Sequence, residues 1–171
     1  MTTQQLYLFS LLYLVLLVAV AILTRATPRR IGGALAGAAV AGVVGLGVVA
    51  VGESEGWWHF VMPREPYFLG LMEISVILCG YVFLITWRIA RGFGGRGLWV
   101  AAIIAAIIGP VRDSWYMRTF PEWGAYGPGI APMLAISATY VLLGVVGHGL
   151  MRLTAGPATT DRLARRPWEL A

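Results

Sequence analysis

The chain has 171 residues, 58% of them hydrophobic and only 12% charged, with a net charge of +5 and a pI near 9.9. A soluble domain needs about 25% charged residues to cover its surface, so a soluble globular domain is excluded and the lipid bilayer is the natural solvent. All 13 basic residues are arginine and lie in or beside the segments between apolar runs. The high pI therefore reads as attraction to an anionic leaflet, not as nucleic-acid binding.

The absence of Lys and Asn beside abundant Ala, Gly and Arg is what GC-rich coding produces, and it points to a bacterium and its inner membrane. A lone Cys79 excludes an internal disulfide and a Cys-based metal site. No cofactor or metal is expected.

About 20 apolar residues cross a hydrocarbon layer of about 30 Å. The first run, 6–23, lacks a positive flank before it and is followed by Arg25, Arg29 and Arg30. It is read as a retained helix rather than a signal peptide, the alternative being cleavage after residues 19–21. The second run, 31–51, follows a turn containing Pro28. The third, 66–87, starts with a proline, whose missing N–H costs nothing there. The fifth, 129–151, carries Pro132 in its first turn.

The fourth run is ambiguous. Residues 98–108 span only about 16 Å as a helix, too little to cross. Either the segment is re-entrant, or it continues through Gly109-Pro110 and takes Arg112 and Asp113 into the membrane. The arginines decide between these. Segments 24–30, 88–96 and the tail from Arg152 hold ten; the N-terminus and loops 52–66 and 111–128 hold three. Short arginine-rich loops stay cytoplasmic, so a fourth crossing is required, over about 97–117. The expected fold is an all-α, five-helix bundle with helix 4 kinked at Pro110. Its N-terminus lies outside. Residues 1–153 form one membrane domain and 154–171 a cytoplasmic tail, with Arg162, Arg165, Arg166 and Trp168 as a surface anchor.

Helix 2 carries a ridge of small residues, Gly33, Gly37, Ala41 and Gly45, at four-residue spacing. Such ridges let helices approach closely where no hydrophobic drive separates helix from lipid. They place helix 2 at the bundle centre, or else make it the seat of a homo-oligomer or protein partner.

Of the eight acidic residues, six fall on or near the outward side: Glu53, Glu55, Glu65, Glu73, Asp113 and Glu122. Glu73 lies among Leu71, Met72 and Ile74, roughly 9 Å below the outer boundary by helical rise. Arg112, counted up from the inner boundary, lies about 8 Å below the same surface. Charges inside a membrane face partners or cavities, so a Glu73–Arg112 contact is expected, with Asp113 and Arg64 nearby. Gly70 and Gly80 share the face of Glu73, leaving room there for a partner helix or an elongated ligand. Either the charges lock helix 3 to helix 4, or Glu73, Arg112, Asp113 and Glu65 act as acid, base or orienting groups.

The 56–66 loop brings Trp57, Trp58, His59 and Arg64, and the 112–123 loop brings Trp115 and Tyr116. Both read as interfacial aromatic belts, or together as a lid over a binding site. His148 reads as an interhelical hydrogen bonder. Gly92-Phe93-Gly94-Gly95-Arg96-Gly97 matches a dinucleotide pattern but follows no strand, and that fingerprint needs strand, turn and helix.

Pro63-Arg64-Glu65, at the entry to a membrane helix, resembles the Pro-x-Glu carboxylate motif of small bacterial lycopene cyclases. In that family membrane-edge carboxylates protonate an apolar polyene. The resemblance covers these residues only and lacks the second adjacent Glu and the following Phe pair. It implies an isoprenoid ahead of other apolar ligands. Two functions are therefore carried forward: binding or modification of an apolar lipid or isoprenoid at the outward face, and a structural or assembly subunit without catalysis.

Overall fold

The apolar runs fold as long helices. A computed structural model describes residues 3–61, 67–158 and 163, with the side chains of 3, 6, 67–75 and 78 outside that description. In chain order the elements are α1 (Thr3–Thr24), α2 (Pro28–Ser54), β1 (Trp58–Phe60), α3 (Tyr67–Thr119), a 3-10 turn (Pro121–Trp123), β2 (Gly124–Tyr126) and α4 (Ala131–Ala155). Among the described residues, four helices are long and apolar enough to cross a membrane, as a multi-pass membrane protein requires.

The helix ends follow local chemistry. Arg25 takes a left-handed conformation (φ 58°), while Arg25 N–H bonds Ile22 O at 3.1 Å and Ala26 N–H bonds Ala21 O at 2.9 Å. This Schellman arrangement satisfies the last carbonyls of α1. Thr27 then caps α2, its hydroxyl accepting from Arg30 N at 3.3 Å, and Pro28 opens the helix, a position where a proline loses no bond. Pro28 thus starts α2 instead of sitting in the turn before it.

The core joins Ala34, Ala38 and Ala41 of α2 to Phe83, Leu84 and Trp87 of α3, with Leu17 and Met151 closing its sides. The small-residue ridge makes this possible. A Cβ on Gly33 would lie 2.8 Å from Ala155 Cβ, one on Gly37 would overlap the Gly147 carbonyl, and Gly45 faces Leu143. Gly147 in turn lies directly under the Phe83 ring. α4 therefore packs along the ridge from within the same chain. Gly80 also receives a partner helix: its Cβ would lie 2.9 Å from Leu35.

At 53 residues, α3 would be about 80 Å long if straight, far more than a bilayer. Its backbone leaves helical geometry at Gly94 (φ 62°, ψ −150°), a conformation that glycine reaches without a Cβ penalty. The chain doubles back there: a Cβ on Gly97 would lie 2.7 Å from Ile89 Cγ2. The limbs are 67–93 and 95–119. The interruption falls at Gly94, within the polar segment 88–96. Pro110 lies inside the second limb, and the Ala106 carbonyl that its missing N–H leaves free accepts a hydrogen bond from Ser137 Oγ of α4 at 2.8 Å. A neighbouring helix has supplied the lost bond, as membrane helices with internal prolines require.

At the arginine-rich end, Arg30 is 1% exposed. It donates to Ala155 O at 3.3 Å and Gly156 O at 3.0 Å, and its guanidinium lies 5.2 Å from the Trp87 ring centre. A cation on the terminal carbonyls of α4 complements the negative end of that helix. His148 bonds across to Thr86, Nδ1 to Oγ1 at 3.0 Å, the interhelical role its sequence setting suggests.

At the other end, residues 58–60 and 124–126 pair as a short antiparallel ribbon with Trp58 opposite Tyr126 and Phe60 opposite Gly124. Trp58 is 3% exposed, its ring fills the space that a Cβ on Gly52 would need, and its Nε1 donates to Val49 O at 3.0 Å. The ribbon is thereby pinned to the end of α2.

Candidate functional site at the aromatic end

The site begins with Gly109. Any Cβ there would overlap the Tyr140 ring, so glycine is what lets α4 lie against the second limb of α3. Ser137, one turn before Tyr140, holds the same seam through Ala106 O. With α4 so placed, the Tyr140 hydroxyl reaches the Arg112-Asp113 pair. It donates to Asp113, Oδ2 at 2.8 Å and Oδ1 at 3.0 Å, and accepts from Arg112 Nη2. Arg112 closes the ring on Asp113 Oδ1, from Nε at 3.0 Å and from Nη2 at 2.8 Å. Neighbouring residues on a helix ordinarily diverge; here Tyr140 holds both against one point. The result is a network with no net charge, its side chains 39% exposed for Arg112 and 19% for Asp113.

Aromatic rings surround the network. The Arg112 guanidinium lies 5.5 Å from the Tyr140 ring centre and 5.9 Å from that of Tyr116. Tyr116 stacks on Trp123 (6.1 Å) and on Phe120 (6.3 Å), and Phe120 stacks on Trp123 at 4.4 Å. α1 completes the wall: Phe9 meets Trp123 edge-on at 5.9 Å, and Tyr13 stacks on Tyr81 at 6.4 Å. Two polar atoms in this region, Trp123 Nε1 and Tyr126 OH, are buried with no hydrogen-bond partner among the described residues. Buried donors are rarely left so, because an unmade bond costs about 1–3 kcal/mol. Burial first, and the Asp113 carboxylate second, push the Tyr126 phenol above its ordinary value, so it stays protonated as a donor.

Of the residues singled out in the sequence, Arg112, Asp113 and Tyr116 come together here, and Trp115 packs beside Tyr116 at 5.1 Å. Trp57 and Trp58 pack on each other at 5.9 Å and join the site through the ribbon, where Phe60 meets Tyr126 edge-on at 6.2 Å. His59 is exposed and pairs with Glu53, Nδ1 to Oε1 at 2.7 Å. Arg64 and Glu65 lie outside the described residues, as do Arg162, Arg165, Arg166 and Trp168 of the tail. Glu73 lies on the first limb of α3, but its side chain is outside the description. Among the described residues, Arg112 has Asp113 and Tyr140 as its hydrogen-bonding partners.

Tyr140, Tyr126, Tyr13 and Tyr81 are the site residues that sequence reasoning passes over. A signal existed for Tyr140, since a phenol in the middle of an apolar helix needs a polar partner, and Ser137 marks the same face one turn earlier. Compared with protein-family models, curated proteins and solved structures, the chain gives no match.

Proposed function

We propose that this is a five-span protein of a bacterial inner membrane whose aromatic end faces outward and holds an apolar lipid, of isoprenoid type, by a weakly polar end. The five-span reading is supported by the reversal at Gly94, which lets the two limbs of α3 cross separately and keeps the arginine alternation. The N-terminus is then outside and the C-terminus cytoplasmic. This topology is tested by thiol labelling in a Cys79→Ala background. A membrane-impermeant reagent applied to intact cells is expected to label Ser54→Cys and not Arg96→Cys; labelling of both, or of Arg96→Cys alone, refutes it.

The observation that carries the binding reading is the pair of buried, partnerless donors, Trp123 N–H and Tyr126 O–H, beside a network that neutralises its own charge. A neutral site with two spare donors and an aromatic wall suits an apolar molecule ending in an acceptor such as a hydroxyl, carbonyl or ether oxygen. A modifying step would draw on Glu73 or Glu65.

Purification in mild detergent followed by mass spectrometry of extracted small molecules is the test. A stoichiometric apolar lipid is expected with the wild type and is expected to be lost from Tyr126→Phe with the fold intact. The second reading, a structural or assembly subunit, is favoured by the closed Arg112–Asp113–Tyr140 network, which joins α3 to α4 without any ligand. A protein partner in fixed stoichiometry, with no bound lipid, would establish that reading over the first.

A further inference from the structure

The opposite end of the bundle has a feature of its own. Where the first turn of α2, the Gly94 turn of α3 and the last turns of α4 meet, there is a cavity of about 220 Å³ lined by Arg30, Trp87, Gly94, His148, Arg152 and Gly156, among others. A water occupies roughly 30 Å³ of liquid, so there is room for a tetrahedral oxyanion with waters around it. The described lining residues include two arginines and a histidine and no carboxylate. The Arg30 guanidinium is fixed by the Ala155 and Gly156 carbonyls and by Trp87, so its charge is preorganised at the cavity wall. Arg152 is exposed in the last turn of α4. The Trp87 side chain is fully buried, and its indole N–H has no acceptor among the described residues. A buried donor without an acceptor beside a cation-lined space is the setting in which an anionic acceptor binds.

We infer that this cavity is a binding site for a phosphate-type oxyanion, supplied either as the headgroup of an anionic phospholipid or as free phosphate. Arg152 provides the planar pair of donors that match such a group, Arg30 a fixed field, and Trp87 an N–H that lacks an acceptor among the described residues. The inference is independent of the ligand proposed for the aromatic end.

The full chain in mild detergent is titrated with dihexanoyl phosphatidylglycerol and, separately, with inorganic phosphate, and its thermal unfolding is followed against sodium chloride of equal ionic strength. Saturable stabilisation by the lipid is expected. Its half-saturating concentration should rise roughly tenfold in Arg152→Gln, the scale of one charge-assisted hydrogen bond, and should rise also in Trp87→Phe, which keeps the ring and removes the N–H. Arg96→Gln, an exposed arginine outside the cavity, should bind as the wild type does. Stabilisation by the lipid alone identifies the headgroup as the source; stabilisation by both probes identifies the free anion as sufficient. Stabilisation matched by sodium chloride, no saturation, or equal weakening by Arg96→Gln and Arg152→Gln would overturn the site and leave only diffuse surface charge. Unchanged binding in both Arg152→Gln and Trp87→Phe would overturn it as well.

Discussion

Gly37→Ala is expected to lower the unfolding free energy by about 1–3 kcal/mol, the usual cost of forcing an extra methyl into a packed interior. The position leaves little choice. The new Cβ would overlap the backbone carbonyl of Gly147, and a backbone atom cannot swing aside as the tip of a long side chain does. Gly147 cannot retreat either, because the Phe83 ring lies against its other side. α2 and α4 must separate, and the buried contacts of Ala34, Ala38 and Met151 loosen with them. In a bilayer this matters more than the area suggests, since packing and not expulsion from water holds the helices together.

Gly32→Ala is the control. It lies in the same helix with nothing within 4 Å of its would-be Cβ, and alanine favours a helix over glycine by about 0.5–1 kcal/mol. Unfolding in mild detergent with increasing denaturing detergent should therefore rank the variants with Gly32→Ala at or above wild type and Gly37→Ala well below. Equal stability of wild type and Gly37→Ala would refute the close α2–α4 contact.

The ridge on α2 was legible because small residues at four-residue spacing have one physical use in a membrane helix, and α4 takes it. The long helices were legible from hydropathy for a similar reason: backbone polar groups in lipid must be satisfied internally. Other features depend on partners that no local pattern names. Arg30 reads as one more positive charge in a cytoplasmic turn, and only the position of α4 reveals that it caps Ala155 and Gly156. Pro110 signals a missing hydrogen bond, but no local pattern says that Ser137 answers it from another helix. The polar segment 88–96 contracts to a single non-helical residue, Gly94, because helix continues from both sides once a glycine supplies the reversal. The ribbon at 58–60 and 124–126 is too short to show alternation. Asp113 reads in the sequence only as a neighbour of an expected Glu73–Arg112 contact, because helical depth alone does not show that Arg112 beside it and Tyr140 across the seam both bond to it.

That network supports the second large prediction. Asp113→Leu should cost about 3 kcal/mol, the lower end of the range for stripping one partner from a buried ion pair, because Arg112 keeps 39% of its side chain exposed. Arg112→Met should cost a similar amount, since Asp113 would keep only the Tyr140 hydroxyl among its described partners. The double variant, Arg112→Met with Asp113→Leu, removes both charges and replaces them with apolar groups of comparable size. It should recover much of the loss, because a buried pair exchanged for hydrophobic residues is often neutral, and the recovery is read as the coupling term of a double-mutant cycle. Losses that simply add would mean that the two charges do not depend on each other, and the ring of bonds through Tyr140 would be disproved. Recovery of stability also separates the two functional readings. A double variant that folds and still keeps its lipid makes the charges a lock between α3 and α4. One that folds but purifies without its lipid makes the same charges part of the surface that holds it.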